Sequence, residues 1–186
     1  MTLTEARDLL DILINKSNNP YFTTNEKDEF LELALTEFIN KYYSVNDINE
    51  QARAALKGIT KFTTPTVTTG TIPVGDKVMF VLSVGVQYNL PHRVIAAHHG
   101  KLPHVQAKQV SAADFKFQSD PFNKPTKENP IYTYTVSATG GSQIHILPDR
   151  SIGDVILYFI ERPELTGVFD SNDIEETYQH EILQIA

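Results

Sequence analysis

The sequence predicts an α+β fold: an N-terminal helical bundle that is completed by a C-terminal helix, with a central antiparallel β-sheet or sandwich. Apolar side chains recur at helical intervals over residues 1–60, alternate with a period of two over residues 61–165, and return to helical intervals over residues 166–186. A chain of 186 residues is long enough to bury one substantial core. We therefore expect a single domain over residues 1–186, in which the C-terminal helix packs on the N-terminal helices.

The first two helices are marked by their N-terminal caps. Thr2 and Glu5 have the spacing of a capping box, and so do Thr23 and Glu26. After each pair, apolar side chains recur at the spacing of a buried helix face: Leu3, Leu9, Leu10, Leu13 and Ile14, and then Phe30, Leu31, Leu33, Ala34, Leu35, Phe38 and Ile39.

A third helix is expected over residues 47–56, with apolar positions at Ile48, Ala52, Ala55 and Leu56. We interpret Gly58 as its C-terminal stop, because glycine commonly follows the last turn of a helix. Three short amphipathic helices cannot cover all of each other's apolar surface, which is why a later helix is expected to complete the bundle.

The middle of the chain predicts strands. Thr, Val and aromatic residues become frequent, and Gly, Pro and Asn punctuate the runs. Residues 120–130 contain three prolines, which excludes a strand interior there and predicts an exposed loop or an arm ordered by a neighbouring molecule. The expected strands cover residues 61–67, 77–88, 93–99, 104–117, 131–136, 143–147 and 154–160.

The last part of the chain predicts one helix. Ser171, Asn172 and Asp173 are all residues that favour the N-cap position. An apolar stripe follows them, formed by Ile174, Tyr178, Ile182, Leu183 and Ile185.

The composition of the chain limits the cellular compartments in which the protein is expected. The chain has no cysteine, so neither disulfides nor cysteine-bound metals hold it together. Glu5 and Asp8 lie near the beginning, without a basic segment before an apolar run, which argues against a signal peptide. No apolar run approaches the ~20 residues of a membrane span. We expect a protein that is made in a cytoplasm and does not enter a membrane.

Charge is distributed unevenly along the chain. Residues 1–60 have 6 basic and 10 acidic side chains, residues 61–130 have 8 and 4, and residues 131–186 have 2 and 9. A general nucleic-acid-binding protein is usually basic overall, so this profile argues against one. A basic middle between acidic ends suits head-to-tail contact between copies of the chain, because opposite charges then meet. The alternative interpretation is an ordinary solvated surface.

No catalytic, cofactor or metal site is predicted. Of the histidines His92, His98, His99, His104 and His145, no pair has a metal-ligand spacing, and the adjacent His98 and His99 would point to opposite faces of a strand. Ser142 follows two glycines in what is expected to be a hairpin turn, without the nucleophile motif of hydrolases. Glycine-rich nucleotide motifs are absent from the sequence. The sequence therefore predicts a protein that is not an enzyme and has no cofactor.

Basic and aromatic residues mix between residues 101 and 127. Lys101, Lys108 and Lys116 are candidates for non-specific contact with DNA. If residues 104–117 form one strand, Lys108 and Lys116 share one face and Phe115 and Phe117 the other, so the phenylalanines are expected to be core and the lysines solvated.

The last third of the chain resembles a family of phage proteins. A strand that ends in Tyr158-Phe159-Ile160-Glu161-Arg162-Pro163 leads through an acidic linker into a helix with Tyr178-Gln179-His180-Glu181. This pattern, together with a helical start and a β middle, is similar to the head-to-tail connector proteins of tailed phages, also called adaptor or tail-tubular proteins. The sequence departs from the family at residues 173–177, where the usual Leu-Pro before the helix is missing.

The resemblance implies a virion structural protein. Such a protein forms a ring of about twelve copies in the neck below the portal protein, joins the capsid to the tail or to further neck proteins, and lets DNA pass through its lumen. A ring of this kind uses two different surface patches on each copy. Alternatives are another head-completion or tail-terminator protein of a phage, or a soluble β-rich binding module for carbohydrate or protein, although exposed aromatic clusters are not evident in the sequence.

The residues expected at the contacts between copies are basic. Lys124 and Lys127 lie in the proline-rich loop over residues 120–130. Arg150 and Arg162 flank the last predicted strand and are expected to pair with the acidic C-terminal segment of a neighbouring copy.

Overall fold

The computed structural model describes residues 1–14, 22–46, 49–89, 104–116, 124–136 and 141–186. Within these ranges, six α-helices and seven strands confirm the predicted α+β fold class. In chain order they are α1 (Leu3–Leu13), α2 (Thr24–Tyr43), α3 (Glu50–Leu56) with a 3-10 turn (Lys57–Ile59), β1 (Thr60–Thr63), β2 (Thr71–Pro73), β3 (Val78–Tyr88), β4 (Val105–Gln109), α4 (Ala112–Lys116), β5 (Ile131–Val136), β6 (Ser142–Leu147), β7 (Ile152–Glu161), α5 (Leu165–Phe169) and α6 (Glu176–Ile185).

The chain divides into two compact units. The helical unit consists of Met1–Thr60 and Arg162–Ala186, so it contains both ends of the described chain. The β unit consists of Lys61–Glu161 and contains the strands together with α4.

The two predicted capping boxes are confirmed. The Thr2 hydroxyl accepts a hydrogen bond from the Glu5 N–H (3.2 Å), and the Glu5 carboxylate accepts one from the Thr2 N–H (2.7 Å). Thr23 and Glu26 make the same reciprocal pair at the start of α2. These bonds satisfy backbone donors that the first turn of a helix leaves without an intrahelical partner.

The end of α3 differs from its prediction. Residues 47 and 48 lie outside the described ranges, and the helix begins at Glu50 with Asn49 as its cap. Gly58 does not end the helix in a left-handed conformation but lies inside the 3-10 turn. The reason for glycine at this position is a close backbone approach from residue 173 within the helical unit.

The C-terminal part contains two helices where one was predicted. The break is a turn in which Asn172 has a positive φ of 55°. The Ser171 and Asp173 N–H groups close the turn by donating to the carbonyl oxygens of Thr166 (3.2 Å) and Gly167 (3.0 Å). The cap of α6 is consequently Glu175, and not one of residues 171–173 as the sequence indicated.

Helices from both ends of the chain pack together in the helical unit. Helix α2 contacts α1, α3, α5 and α6, and α1 also contacts α5 and α6. The fully buried side chains at these contacts include Leu10, Leu31, Phe38, Ile39, Leu56, Phe169 and Ile182.

Across the described ranges, none of the helices has the length and apolar character needed to cross a lipid bilayer.

The β unit is one seven-stranded sheet in the order β1–β7–β3–β4–β5–β6–β2. The pairs β7–β3, β3–β4, β5–β6 and β6–β2 are antiparallel, whereas β4 and β5 are parallel. The prediction of an antiparallel sheet or sandwich was therefore wrong in this respect. Parallel neighbours need a long connection, which residues 110–130 supply between β4 and β5.

Two strand predictions need correction, and a third is not tested. Strand β2 was not predicted, because Thr71–Pro73 is too short to show a period of two. The strand expected over residues 104–117 stops at Gln109, and Ala112–Lys116 is helical. The Ser111 hydroxyl accepts from the Asp114 N–H (3.1 Å), a helix-starting contact with the same spacing as Thr2 and Glu5. The strand expected over residues 93–99 lies outside the described residues.

The core of the sheet comes from the positions that alternate inward. Val84 and Val86 on β3 face Leu157 and Val155 on β7 across the register of the pair. Ile144 and Ile146 on β6 and Ile72 on β2 extend this core toward the other edge of the sheet. Alternating burial of this kind is what a half-covered sheet requires.

Candidate functional site

Tyr88, at the end of β3, is the residue at which two of the predicted contact segments meet. Its hydroxyl donates a hydrogen bond to the Pro148 carbonyl oxygen (3.1 Å), and the Lys127 Nζ atom lies 5.6 Å from the centre of its ring. Burial, together with the charge of Asp149, raises the pKa of Tyr88 to about 12. Lys127 is half-buried, and it makes a cation–π contact with the Tyr88 ring of the same chain.

The other three predicted contact residues are exposed but do not form one group. Lys124 lies three residues before Lys127 in the chain, and Arg150 lies in the turn between β6 and β7 that contacts Tyr88. Arg162 follows the opposite end of β7. At ~3.3 Å per residue, the two ends of β7 are roughly 30 Å apart. The structure therefore groups Lys127 with the turn that carries Arg150 and leaves Arg162 elsewhere.

The three lysines considered for DNA contact have different settings. Lys101 lies outside the described residues. Lys108 is exposed on β4, and its N–H donates to the Pro130 carbonyl oxygen (2.9 Å). Lys116 is the last residue of α4. The expectation that Lys108 and Lys116 share one strand face was wrong, because the chain turns into a helix between them.

The histidines do not converge within the described residues. His104 Nε2 lies 3.7 Å from Asp154 Oδ2, and His145 Nδ1 lies 3.3 Å from the Thr71 hydroxyl oxygen. Across the described ranges, no group of three or more His, Cys, Asp or Glu side chains is arranged to hold a metal ion. Three of the histidines lie outside those ranges: His92, His98 and His99.

An exposed aromatic pair is the surface feature that the sequence analysis missed. Phe62 on β1 is 68% exposed and Tyr158 on β7 is 43% exposed, and their ring centres are 6.0 Å apart. The residues are 96 positions apart in the chain and meet because β1 and β7 are neighbours in the sheet. Alternation on β7 places Tyr158 opposite to the buried Leu157, and this is the only sequence signal that indicated its exposure.

Helix α6 carries the Tyr178 and His180 pair on which the resemblance rests in part. The Tyr178 ring lies 5.7 Å from the Tyr42 ring, and its hydroxyl donates a long hydrogen bond to the Gln51 carbonyl oxygen (3.4 Å). His180 is exposed and lines two shallow clefts beside α6. Tyr178 is thus a packing residue, whereas His180 belongs to the surface.

Lys41, Tyr42 and Glu181 join α2 to α6. The Glu181 carboxylate accepts hydrogen bonds from Lys41 Nζ (2.6 Å) and from the Tyr42 hydroxyl (2.7 Å). Burial, together with the hydrogen bond to Glu181, raises the pKa of Tyr42 to about 12. Burial by itself raises the pKa of Glu181, but the bonds from Lys41 and Tyr42 outweigh it and hold the pKa below its ordinary value of 4.5.

We expect Glu181→Gln to lower the free energy of unfolding at neutral pH, and we expect its difference from the wild type to disappear in acid. Since folding lowers the pKa of Glu181, the ionised carboxylate stabilises the fold above the unfolded pKa, and this contribution is lost as pH falls through the lowered folded pKa. Urea unfolding between neutral pH and about pH 3 measures the difference. Glu37→Gln, at an exposed position on α2, is the control. A difference that is the same at every pH would contradict the expectation.

The two units differ in charge. The helical unit has 7 basic and 16 acidic side chains, a net charge of −9. The β unit has 9 basic and 7 acidic side chains, a net charge of +2. The unevenness seen along the sequence is therefore a division between two compact parts of the molecule.

No protein-family model matches the sequence, and no curated protein matches it.

Proposed function

We propose that the chain is a structural protein of a tailed-phage virion that assembles in the host cytoplasm into a closed ring. The ring lies in the neck between the portal protein and the tail or further neck proteins, joins capsid to tail, and lets DNA pass. In this role the protein acts by geometry and not as an enzyme.

The charge division between the two units is the observation that carries the proposal. A ring is built from one heterologous contact that repeats, so each copy must present two different and complementary patches. The helical unit has a net charge of −9 and the β unit a net charge of +2, so one chain carries an excess of each sign in a different part. Opposite charge on the two sides of a contact speeds association and selects its orientation.

The residues proposed for the contact between copies are Lys124 and Arg150, with Arg162 as a separate contact. Both Lys124 and Arg150 are exposed, and their segments are attached to the sheet at Tyr88. Lys127 has a supporting part in this proposal, because its contact with Tyr88 holds the segment in place.

The passage of DNA is proposed to involve the basic β unit. Exposed Lys108, together with Lys101 and Lys116, would supply sequence-independent contacts with phosphate. Such contacts weaken as the salt concentration rises, because the release of counterions from the DNA then contributes less binding free energy.

A second candidate function is a soluble β-rich binding module. The exposed Phe62 and Tyr158 rings favour it, because a solvent-facing apolar patch marks a site for a ligand or a protein. In that case the protein stays a monomer at every concentration. Substitution of the two rings then abolishes ligand binding and leaves the mass of the protein in solution that of the monomer.

The mass of the full chain in solution tests the first proposal. We expect light scattering and native mass spectrometry to show a closed species of about twelve copies as protein concentration rises. Negative-stain microscopy should show this species as a ring, and high ionic strength should weaken it. A mass equal to the monomer at every concentration and salt level would reject the ring.

We expect Lys124→Glu to weaken ring assembly about tenfold or more at low salt, because it places a repulsive charge at the proposed contact. The control is Lys57→Glu, which makes the same change of net charge at an exposed position of the helical unit. Equal assembly of the two variants would remove Lys124 from the contact.

A further inference from the structure

The side of the sheet that faces away from its core has a floor of small residues along β3. Val84 and Val86 are buried in the core, so their neighbours Ser83 and Gly85 alternate to the opposite side. Strands β7 and β4 flank β3 in the sheet, and at ~4.8 Å per strand spacing their backbones lie ~10 Å apart. Ser83 and Gly85 thus form the bottom of a shallow depression, which we call the β3 trough.

Apolar side chains form the β7 side of the β3 trough. Tyr158 pairs with Ser83 in the register of β7 and β3, so its ring stands beside the floor. The exposed Phe62 ring, with its centre 6.0 Å from that of Tyr158, extends this surface toward β1. Ile156 pairs with Gly85 and adds a half-buried aliphatic side chain on the same side of the sheet. One wall of the trough is therefore a continuous and mainly aromatic surface.

Polar side chains form the β4 side of the trough. Gln106 pairs with Gly85 in the register of β4 and β3. Gln106 and Lys108 are exposed and lie on either side of the buried Ala107, so both project toward the same side of the sheet as Gly85. The amide of Gln106 can donate and accept hydrogen bonds, and the ammonium group of Lys108 can donate them.

His104 and Asp154 close one end of the trough. A β-carbon on Gly85 would lie 3.3 Å from the His104 β-carbon, so glycine leaves the space in which the histidine lies. His104 Nε2 is 3.7 Å from Asp154 Oδ2, and the Asp154 side chain is still 49% exposed. Lys108 and Asp154 carry opposite charges, so the trough offers hydrogen-bonding groups without an excess of either sign.

We infer that the β3 trough binds a neutral oligosaccharide. A sugar ring has apolar C–H faces, which pack on the Tyr158 and Phe62 rings, and hydroxyl groups at its edge, which bond to the polar wall. Nucleic acid needs several cations for its phosphates, and the trough has one lysine. A purely apolar ligand would cover Gln106 without giving it a hydrogen bond. The inference rests on the second candidate function, for which it names the ligand class, and it does not depend on the ring.

Titration of the full chain with neutral linear oligosaccharides tests the inference. The probes are maltohexaose, cellohexaose, mannohexaose and N-acetylchitohexaose, followed by isothermal titration calorimetry and saturation-transfer NMR. We expect at least one of them to bind with a dissociation constant of about 1 mM or less. Its affinity should be the same at low and at high sodium chloride concentration, because the ligand has no charge that salt could screen.

Three substitutions locate the binding in the trough. Phe62→Ala and Tyr158→Ala each remove one ring and are expected to weaken binding about tenfold. Ser83→Leu fills the floor while both rings stay in place, and it should weaken binding by at least about tenfold. Val136→Ala is the control, because Val136 is 74% exposed on β5 and alternates to the same side of the sheet as the buried Tyr132. Unchanged thermal unfolding verifies that each variant is folded.

The outcomes separate this inference from the two proposed functions. If no oligosaccharide binds at about 10 mM, or if the trough variants bind as well as the wild type, the inference fails. Oligothymidylate is the comparison probe. If it binds in place of the sugars, with an affinity that falls with salt and with Phe62→Ala, the second candidate function stands and the sugar assignment fails. The mass of the protein in solution decides the ring and has no bearing on this test.

Discussion

Gly58→Ala is expected to lower the free energy of unfolding by about 3 kcal/mol or more. A β-carbon on Gly58 would lie 1.6 Å from the Asp173 carbonyl oxygen and 2.6 Å from its carbonyl carbon. Both atoms belong to the backbone, so no rotation of a side chain relieves the overlap. The 3-10 turn and the segment between α5 and α6 would have to move apart.

The segment around Asp173 has little room to move. Its N–H donates to the Gly167 carbonyl oxygen (3.0 Å), and a β-carbon on Gly167 would lie 2.7 Å from Asp173 Oδ2. Helix α6 begins three residues later, so a shift of Asp173 would also move the start of that helix.

Urea unfolding of Gly58→Ala beside Gly75→Ala measures the effect. Gly75 is a matched control, because a β-carbon at that position has no neighbour within 4 Å. Alanine also restricts the unfolded chain, which favours the folded state by about 0.4–1 kcal/mol where the alanine fits. Gly75→Ala should be neutral or slightly stabilised, and a Gly58→Ala protein of the same stability would contradict the expected clash.

Gln179→Leu is expected to lower the free energy of unfolding by about 2 kcal/mol. Gln179 is 0% exposed, and its Nε2 group donates to the carbonyl oxygens of Val168 (2.7 Å) and Ile174 (2.9 Å) and to Asn172 Oδ1 (3.1 Å). Leucine preserves much of the volume but removes the donor, which leaves those two carbonyl groups without it. The amide thus holds the turn between α5 and α6 in its shape.

The orientation of the Gln179 side-chain amide follows from the atoms around it. All three neighbours of Nε2 are acceptors, so the nitrogen and not the oxygen must face them. Gln179 Oε1 is buried without a hydrogen-bond partner among the described residues, and leucine removes this unsatisfied atom. The expected loss is therefore smaller than the sum of the broken bonds.

Gln179→Glu distinguishes hydrogen bonding from packing. The carboxylate has nearly the same size but directs an acceptor at three acceptors, so this variant should be less stable than Gln179→Leu. Gln184→Leu, at an exposed position on the same helix, is the control and should change stability by less than about 0.5 kcal/mol. A leucine variant as stable as the wild type would indicate that the donor has no role.

Local contacts are the part of the fold that was predicted well. The capping boxes at Thr2 and Thr23 are confirmed because their partners are three residues away. Most of the predicted strands were also found, because alternation is a property of consecutive residues. The same signal was present at Ser111 and was missed, since the alternation around it suggested a continuous strand.

The candidate site was predicted less well, since it depends on neighbours that are distant in sequence. Lys127 was expected in a loop that contacts a neighbouring copy. Its ammonium group lies over the Tyr88 ring of its own chain. Phe62 and Tyr158 become one surface only because β1 pairs with β7. The residues around each side chain in the sequence do not predict either contact.

By itself, the sequence determined the fold class, the starts of the first two helices, and the positions of most strands, because hydrogen bonds and burial patterns within a few residues specify these features. Only the tertiary structure decided that β4 and β5 run parallel, that a polar Gln179 is buried, and that Gly58 touches the backbone of Asp173. Each of these depends on which distant segments become neighbours, and that choice follows from the packing of the whole unit.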